Sequence, residues 1–562
     1  MSQINSIFFI ILRRMRAPLI VLIAIYAIAV CGLTLIPGVD AAGKPAPPLS
    51  FFHAFYFVSY TATTIGFGEI PTAFSDAQRL WVTLAIYLTV IGWSYSIVTL
   101  LALLQDKGFQ SALITARFAR RVRALREPFY LICGCGETGG LVCHALDRLG
   151  QRFVVLESRE QRVQELDLED FKTDTPALAA DAAQPANLLL AGLRHPQCRG
   201  VLALTDDDSC NLNIAIAVRL LHPEIPVLAR TDRQQVAANM ASFGADHIIN
   251  PFEIFADSLA LALRAPASLR LCEILTGLAG SELPEVHRPP LGAWIVCGYG
   301  RFGRAVASRL QQAEGQALTI LETRVPDDAG HRVVTGNGND ANCLRMAGVA
   351  EAVGIVAGTS SDSNNLAIAM TARELNPALY VVMRQNQAAN ALLFEAFPDD
   401  YTLVPSQVVA QACVAILTAP LLERFLQLVR QQSNDWAATL AERLLALCGA
   451  RVPQVWSVRL DTAGAPALEQ ALRHGEAIGL GVLTGDGGIS SLPLLIERAD
   501  RQLLLLPDGA TRLQAGDHLL FAGRRAARSE QMLLLNNVNV LDQALGKPQA
   551  GSWFGRWLAR RA

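Results

Sequence analysis

Three clusters along the chain combine residue types that can do chemistry. In Thr63-Thr64-Ile65-Gly66-Phe67-Gly68-Glu69, glycines alternate with larger residues. Such alternation allows backbone dihedrals that aim successive carbonyl oxygens the same way. Four copies around an axis would then replace the hydration shell of a monovalent cation. The ligands would be the carbonyls of Thr64, Ile65, Gly66 and Phe67 with the Thr64 hydroxyl, and Gly68 completes the motif. The other two clusters are Gly134-Cys135-Gly136-Glu137-Thr138-Gly139 and Gly298-Tyr299-Gly300-Arg301-Phe302-Gly303, each directly after an apolar, strand-like run. A second strand-like run follows each and closes on an acid, Glu157 or Glu322. Glycines permit the tight turn and the close approach of a pyrophosphate, and the carboxylate takes the ribose hydroxyls.

The first cluster needs a membrane to position it. Pro18 to Ile36 is a run of 19 residues without charge, and Leu80 to Leu104 is a run of 25. At 1.5 Å per residue the first reaches about 28 Å, close to a hydrocarbon core of about 30 Å, and the second could span it with tilt. Between them, Leu49 to Thr63 is apolar but too short to cross, so it reads as a re-entrant segment. Arg13, Arg14 and Arg16 precede the first span, and Lys107, Arg117, Arg120, Arg121, Arg123 and Arg126 follow the second. This bias places both termini in the cytoplasm of a multi-pass protein. Overall, 51% of residues are hydrophobic, 17% are charged and the net charge is -2, which argues against disorder and against a nucleic-acid partner. The eleven cysteines and nine histidines are scattered, without the spacing of a disulfide framework or a zinc site.

The filter-like residues resemble the signature of potassium channels, usually written T-V-G-Y-G-D. Ile65, Phe67 and Glu69 stand at its variable places. Phe for Tyr removes a hydroxyl that could brace the filter from behind, and Glu69 keeps the outer acidic character. Gly92, the only glycine in the second span, is either a gating hinge or a close helix contact.

The two glycine clusters belong to a tandem repeat. Thr205, Asp208, Ser209, Asn211, Arg219, Pro223, Arg230 and Pro251 recur 154 residues later as Thr359, Asp362, Ser363, Asn365, Arg373, Pro377, Arg384 and Pro405. Alternating strands and helices predict two doubly wound parallel sheets. Both units resemble the N-terminal lobe of RCK (TrkA-N-like) domains, nucleotide-binding regulators of potassium channels and uptake systems. The resemblance implies crossover helices that dimerise and a C-terminal lobe. The expected fold is an α-helical two-span membrane pore domain joined to two α/β Rossmann-like doubly wound domains and a small α+β C-terminal lobe. Its parts are the pore at 1–104, a gating linker at 105–127, N-lobes with crossover helices at 128–280 and 292–450, a C-lobe at 453–526 and a tail at 527–562.

The two nucleotide sites differ. Arg301 offers a cation to phosphate, whereas Glu137 holds the equivalent place in the first loop and would oppose one. Glu157 and Glu322 favour NAD or an adenine nucleotide over NADP. Asp181 and Asn337 stand where the family places polar groups near the adenine. Asp206, Asp207 and Asp208 concentrate oxygen ligands for a divalent cation, against the commoner fate of such a run, a solvated loop. Trp553, Phe554, Trp557 and Leu558 near the C-terminus suit either a membrane surface or packing on their own domain.

The expectation is a potassium-selective channel of a prokaryotic inner membrane, a homotetramer with eight RCK lobes in a cytoplasmic ring. Intracellular ligand, namely NAD, ADP or ATP, with a divalent cation as a further candidate, would gate it. A nucleotide-sensing regulatory subunit of a separate potassium transport system is the alternative. An oxidoreductase is disfavoured, because no general acid/base constellation accompanies the glycine loops.

Overall fold

The computed structural model describes residues 2–40, 44–69, 73–277, 279–283, 288–312, 317–324, 330–484 and 491–547, with side chains from residue 15 onward. The aromatic residues Trp553, Phe554, Trp557 and Leu558 fall outside them. The chain divides into two compact units, 1–125 and 126–562.

In the first unit two helical stretches are long and apolar enough to cross a bilayer, Met15–Leu35 and Asp76–Gln105. Side-chain donors tie one to the other. Trp81 Nε1 donates to the Ala29 carbonyl at 3.1 Å, and Trp93 Nε1 to the Tyr26 hydroxyl at 3.1 Å. Ser75 and Gln78 form a capping box at the start of the second helix, and the Gln78 amide reaches the Ile36 carbonyl at 2.9 Å. The helix Phe51–Ala62 lies between them. Its 12 residues reach about 18 Å, too short to cross. Ala54, Phe57, Val58 and Tyr60 of this short helix share a core with Ala29, Val30 and Leu33.

Asp106 then separates two helices: its backbone leaves the helical region, and its Oδ1 accepts the Phe109 N–H at 3.0 Å. The linker expected at 105–127 is accordingly a helix for most of its length, Lys107–Arg123, with Arg120, Arg121 and Arg123 in its last turn. Cations there complement the negative end of the helix.

The second unit contains two six-stranded parallel sheets of like order. In space the first runs Ala177–Ala179, Arg152–Glu157, Phe129–Cys133, Cys198–Ala203, Val227–Arg230, His247–Ile249. The second runs Arg332–Thr335, Ala317–Glu322, Ala293–Cys297, Gly354–Ala357, Tyr380–Arg384, Tyr401–Leu403. In chain order each is 3-2-1-4-5-6, the doubly wound arrangement whose ligand crevice opens at the carboxyl ends of the strands where the order reverses.

The two domains exchange helices. Pro251–Arg264 leaves the first domain and packs Phe252, Phe255 and Leu259 against Trp294, Phe302 and Val306 of the second. Pro405–Thr418 leaves the second and packs Val409, Ala410 and Cys413 against Val142, Cys143 and Leu146 of the first. Each large apolar side chain buried this way contributes about 1.5–3 kcal/mol, so neither sheet completes its core alone.

The C-terminal lobe is a four-stranded antiparallel sheet in the order Gln454–Arg459, His518–Gly523, Ser491–Glu497, Leu503–Leu505. It extends past the expected boundary at 526. Helices Arg525–Asn536 and Val538–Ala544 bury Ala527, Leu535 and Leu541 in its core, and Trp456 Nε1 donates to Gln531 Oε1 at 2.7 Å. The apolar spacing of these helices is what turns the first part of the tail into lobe.

Candidate functional site

The short helix of the first unit ends at Ala62 and hands the chain to the filter-like residues. Thr64, Gly66 and Gly68 have φ of +60°, +64° and +73°. Left-handed backbone at every second position is what turns successive carbonyls toward one side. For Thr64 it costs about 1–2 kcal/mol, strain of the kind found at functional sites. The N–H groups of Ile65 and Gly66 both donate to the Tyr60 carbonyl, at 3.0 and 3.2 Å, anchoring the inner end of the segment.

Two residues that sequence reasoning missed hold its outer end. The Tyr60 hydroxyl donates to the Glu69 carbonyl at 2.9 Å and the Tyr56 hydroxyl to Glu69 Oε2 at 3.2 Å. The Tyr60 ring also meets Phe67 edge-on at 5.9 Å. These tyrosines provide hydroxyls behind the filter-like segment where Phe67 has none, and their i, i+4 spacing on an apolar helix was the available signal. Gly92 packs against the other span: a Cβ there would fall 2.7 Å from Ile25 Cδ1, and the helix continues through it unbroken. That is the geometry of a close helix contact.

Both glycine loops follow the first strand of their sheets. Gly134 and Gly298 share φ +91°, a conformation that favours glycine. A Cβ on Gly139 would sit 2.1 Å from the Gly134 carbonyl oxygen, and one on Gly303 would sit 1.9 Å from that of Gly298. The third glycine of each motif therefore lets the helix approach the strand. Gly136 caps its helix without any side-chain acceptor, so the first N–H groups there remain available to an anion.

Each loop is backed by its predicted acid. Glu157 Oε2 accepts the Cys135 N–H at 2.7 Å, and Oε1 accepts the Arg159 N–H at 3.0 Å and the Ser158 hydroxyl at 3.1 Å. Glu322 Oε2 accepts the Tyr299 N–H at 2.6 Å, and Oε1 accepts the Thr323 N–H at 2.7 Å. Burial opposes both charges, yet these donors outweigh it and hold both carboxyls below their ordinary range. Two ionised carboxylates beside two glycine loops fit a ribose diol next to a pyrophosphate. Asp181 folds back onto its own loop, accepting the Ala183 N–H at 2.9 Å, and the Asn337 carbonyl accepts the Asp340 N–H at 3.0 Å.

The residues singled out for charge lean across the domain boundary. Glu137 Oε1 accepts the Ala388 N–H of the second domain at 2.8 Å. Arg301 NH1 lies 3.5 Å from Asp232 Oδ2 of the first. Beside the Glu137–Ala388 contact a cleft of about 480 Å³ runs between the domains, lined among others by Glu137, His144, Arg162, Phe394 and Gln407.

The aspartate run does not converge on a common point. Asp206 Oδ1 accepts from Arg230 at 2.8 Å, Asp207 caps a helix through the Ser209 N–H at 2.9 Å, and Asp208 accepts the Asp232 N–H at 3.0 Å. Among the described residues no three His, Cys, Asp or Glu side chains cluster as a metal site would need.

The repeated identities form a scaffold beneath the sites. Asn211 Oδ1 accepts from the Thr205 N–H and hydroxyl at 3.0 and 2.7 Å, and its amide donates to the Arg230 carbonyl at 3.0 Å. Asn365 repeats this with Thr359 at 2.8 and 2.7 Å and the Arg384 carbonyl at 2.7 Å. A further pair at the same 154-residue offset, Asp246 and Asp400, was missed. They accept the Val227 and Val381 N–H groups at 2.9 and 2.7 Å and face Arg219 and Arg373.

Comparison with known proteins agrees with this organisation. The TrkA-N domain family matches residues 130–251 and 294–405, and the ion channel family matches residues 19–106. An uncharacterised protein of Methanothermus fervidus is 27% identical over 203 residues, 36% of this chain but only 31% of that protein's length. Potassium channel protein 1 of Methanocaldococcus jannaschii is 23% identical over 239 residues, 42% of this chain and 69% of that one. Among solved structures, the GsuK channel bound to NAD aligns with 96% of this chain and 100% of its own at 19% identity and a TM-score of 0.45, too loose a fit to add to the fold read from the sheets. With an ion-channel module ahead of two TrkA-N domains, the chain belongs to the prokaryotic potassium channels that carry RCK domains.

Proposed function

We propose that four copies of this chain form a potassium-selective pore in a prokaryotic inner membrane, gated by nucleotide binding to a cytoplasmic ring of eight RCK lobes. Both termini lie on the cytoplasmic side. The alternating left-handed backbone at Thr64, Gly66 and Gly68 carries this reading, since a chain that only regulates another transporter has no use for that strain. In the tetramer the carbonyls of Thr64 to Phe67 replace potassium's hydration shell.

NAD, ADP or ATP is the ligand class that the glycine loops, Glu157 and Glu322 suit. Its binding acts on the pore by preferring one ring geometry over another, transmitted along the linker helix. Moving the pore from 1% to 99% open takes about 5.5 kcal/mol, which several sites share.

Planar-bilayer recording with unequal potassium and sodium tests both parts. The reversal potential should lie near the potassium value, and NAD, ADP or ATP on the cytoplasmic face should shift open probability. Gly66→Ala, which forces a Cβ into φ +64°, should abolish selective current while the cytoplasmic assembly persists. Preserved selectivity in that variant removes the filter assignment. Silence under every ligand favours the alternative, a regulator of a separate transport system, for which the tandem TrkA-N domains are also suited.

A further inference from the structure

The C-terminal lobe contains a cleft that neither the pore nor the glycine loops use. It measures about 440 Å³ and is lined by Arg424, Arg459, Glu497, Arg498, Arg501 and His518, with Ala499 and Gly516. Strand register builds its floor. Arg459 stands opposite His518, and His518 opposite Glu497, in one row across three antiparallel strands. Residues directly opposite share a face of the sheet, so the row presents two cationic or titratable groups beside one acid. Arg424 arrives from the helix Pro420–Val429 and pairs with Glu497. Arg498 is fixed from behind, with NH1 2.5 Å from the buried Asp517 carboxylate and NH2 donating to the Arg512 carbonyl at 2.9 Å. Arg459 leans on Asp461 at 3.7 Å.

Each of these three guanidiniums is held along one edge, which leaves other N–H donors of its five-donor fork unused. Arg501 is different. Among the described residues it has no ion pair and no side-chain hydrogen bond. It sits in the hairpin between Ser491–Glu497 and Leu503–Leu505, where its N–H donates to the Arg498 carbonyl at 2.9 Å and the Arg498 N–H to the Gln502 carbonyl at 2.9 Å. Its φ is +68°. A short hairpin of this kind normally places glycine at its left-handed position. An arginine kept there against steric preference, at the rim of a cleft holding three more arginines, is an outlier that calls for a functional reason.

We propose that this cleft binds a soluble phosphate-bearing anion with two or more negative charges, held by Arg501 and by the unused N–H donors of Arg459 and Arg498. Planar guanidinium forks match phosphate oxygens in pairs, and pre-oriented forks lose little freedom on binding. The helix that supplies Arg424 packs in one core with Leu271, Ile274 and Leu275 of the helix Pro266–Thr276, which follows Pro251–Arg264, so an occupant touches an element that both domains help to hold.

Isothermal titration of the full-length protein with inorganic pyrophosphate tests the site. Arg501→Gly is the informative variant, because glycine suits the turn and the melting temperature should stay level or rise. Its pyrophosphate affinity should fall about tenfold or more, since a charge-assisted phosphate contact is lost. Arg459→Gln should weaken binding in the same direction. Wild-type protein that does not bind pyrophosphate overturns the proposal, as does unchanged affinity in both variants. So does affinity that falls with Arg301→Gln but not with Arg501→Gly, which would place the anion at a glycine loop instead.

Discussion

Arg230 and Arg384 end the same strand of their respective sheets, 154 residues apart, yet their surroundings differ. Arg230 donates to Asp206 at 2.8 Å and to the Thr138 hydroxyl at 3.3 Å. The second domain has Ser360 in place of Asp206 and Phe302 in place of Thr138. Arg384 therefore lies over the rings of Phe252 and Phe302, at 4.5 and 5.9 Å, with its Nε buried and unpaired. Burial lowers its pKa, while Asp232 of the first domain counters that. The glycine loops diverge in the same way. Glu137 is committed to a backbone N–H of the neighbouring domain, whereas Arg301 is half exposed and only loosely paired. The backbone scaffold is duplicated and the charge is not. Equal folds thus do not imply equal charge at the two loops, and only the second offers a cation, Arg301, on its glycine motif.

The sharpest way to break this comparison uses the glycines, whose roles are set by geometry alone. Gly303→Ala would bring a Cβ within 1.9 Å of the Gly298 carbonyl oxygen, against backbone that cannot yield. It should cost about 3 kcal/mol and lower the melting temperature, and Gly139→Ala should match it in the first domain. Gly300→Ala meets nothing within 4 Å, so stability should move by less than about 0.5 kcal/mol. Nucleotide affinity should nonetheless fall about tenfold, because that position lies where the pyrophosphate approaches. Calorimetric melting beside nucleotide titration separates the two outcomes. Equal melting temperatures for Gly303→Ala and Gly300→Ala would defeat the assignment of roles.

Much of this was legible beforehand, for physical reasons. Uncharged runs of bilayer length leave few alternatives, and eight identities at one offset impose a repeated sheet. The glycine loops announced themselves because close approach and left-handed backbone restrict residue choice so strongly. Long-range partners were not legible. Nothing local in Glu137 says that it caps Ala388, 251 residues away, and nothing in Arg301 names Asp232. Those contacts exist because Pro251–Arg264 and Pro405–Thr418 cross between domains and bring the loops face to face. Tyr56 and Tyr60 are not legible in the same way, because an aromatic on an apolar helix reads as packing until its hydroxyl is found on Glu69. The place of the helix Arg525–Asn536 in the C-terminal lobe is hidden in sequence, because it looks polar until Trp456 and Gln531 meet.

A smaller effect sharpens the asymmetry of the loops. Arg301→Gln should weaken nucleotide binding at the second site by about tenfold, a loss of about 1.4 kcal/mol, with stability little changed because Arg301 is half exposed and Asp232 keeps Arg230 as a partner. Glu137→Gln keeps an oxygen for the Ala388 N–H but removes the charge opposing phosphate. First-site affinity should rise by about threefold, as for relief of one screened repulsion. Titrations in backgrounds carrying Gly136→Ala or Gly300→Ala isolate each site. A loss at both sites from Arg301→Gln alone would mean that the arginine serves the two together.

The smallest expected effect lies in acid. Glu157 and Glu322 have folded pKa values below the ordinary 4.5, because N–H donors from each loop outweigh burial. A lowered value means that the unfolded chain binds more protons than the folded one as the pH drops. Their contribution is therefore complete above the unfolded value and is lost as pH falls through the folded one. Urea midpoints measured from about pH 6 down to about pH 3 should decline on this account. Glu157→Gln and Glu322→Gln should each flatten part of the decline while lowering the neutral plateau. The flattening should be larger for Glu157, which also receives Arg159 Nε at 3.4 Å and is the more deeply enclosed of the two. An acid limb unchanged in Glu157→Gln would mean that its loop contacts do not depend on charge, and the carboxylate would then stand there for the ligand rather than for the fold.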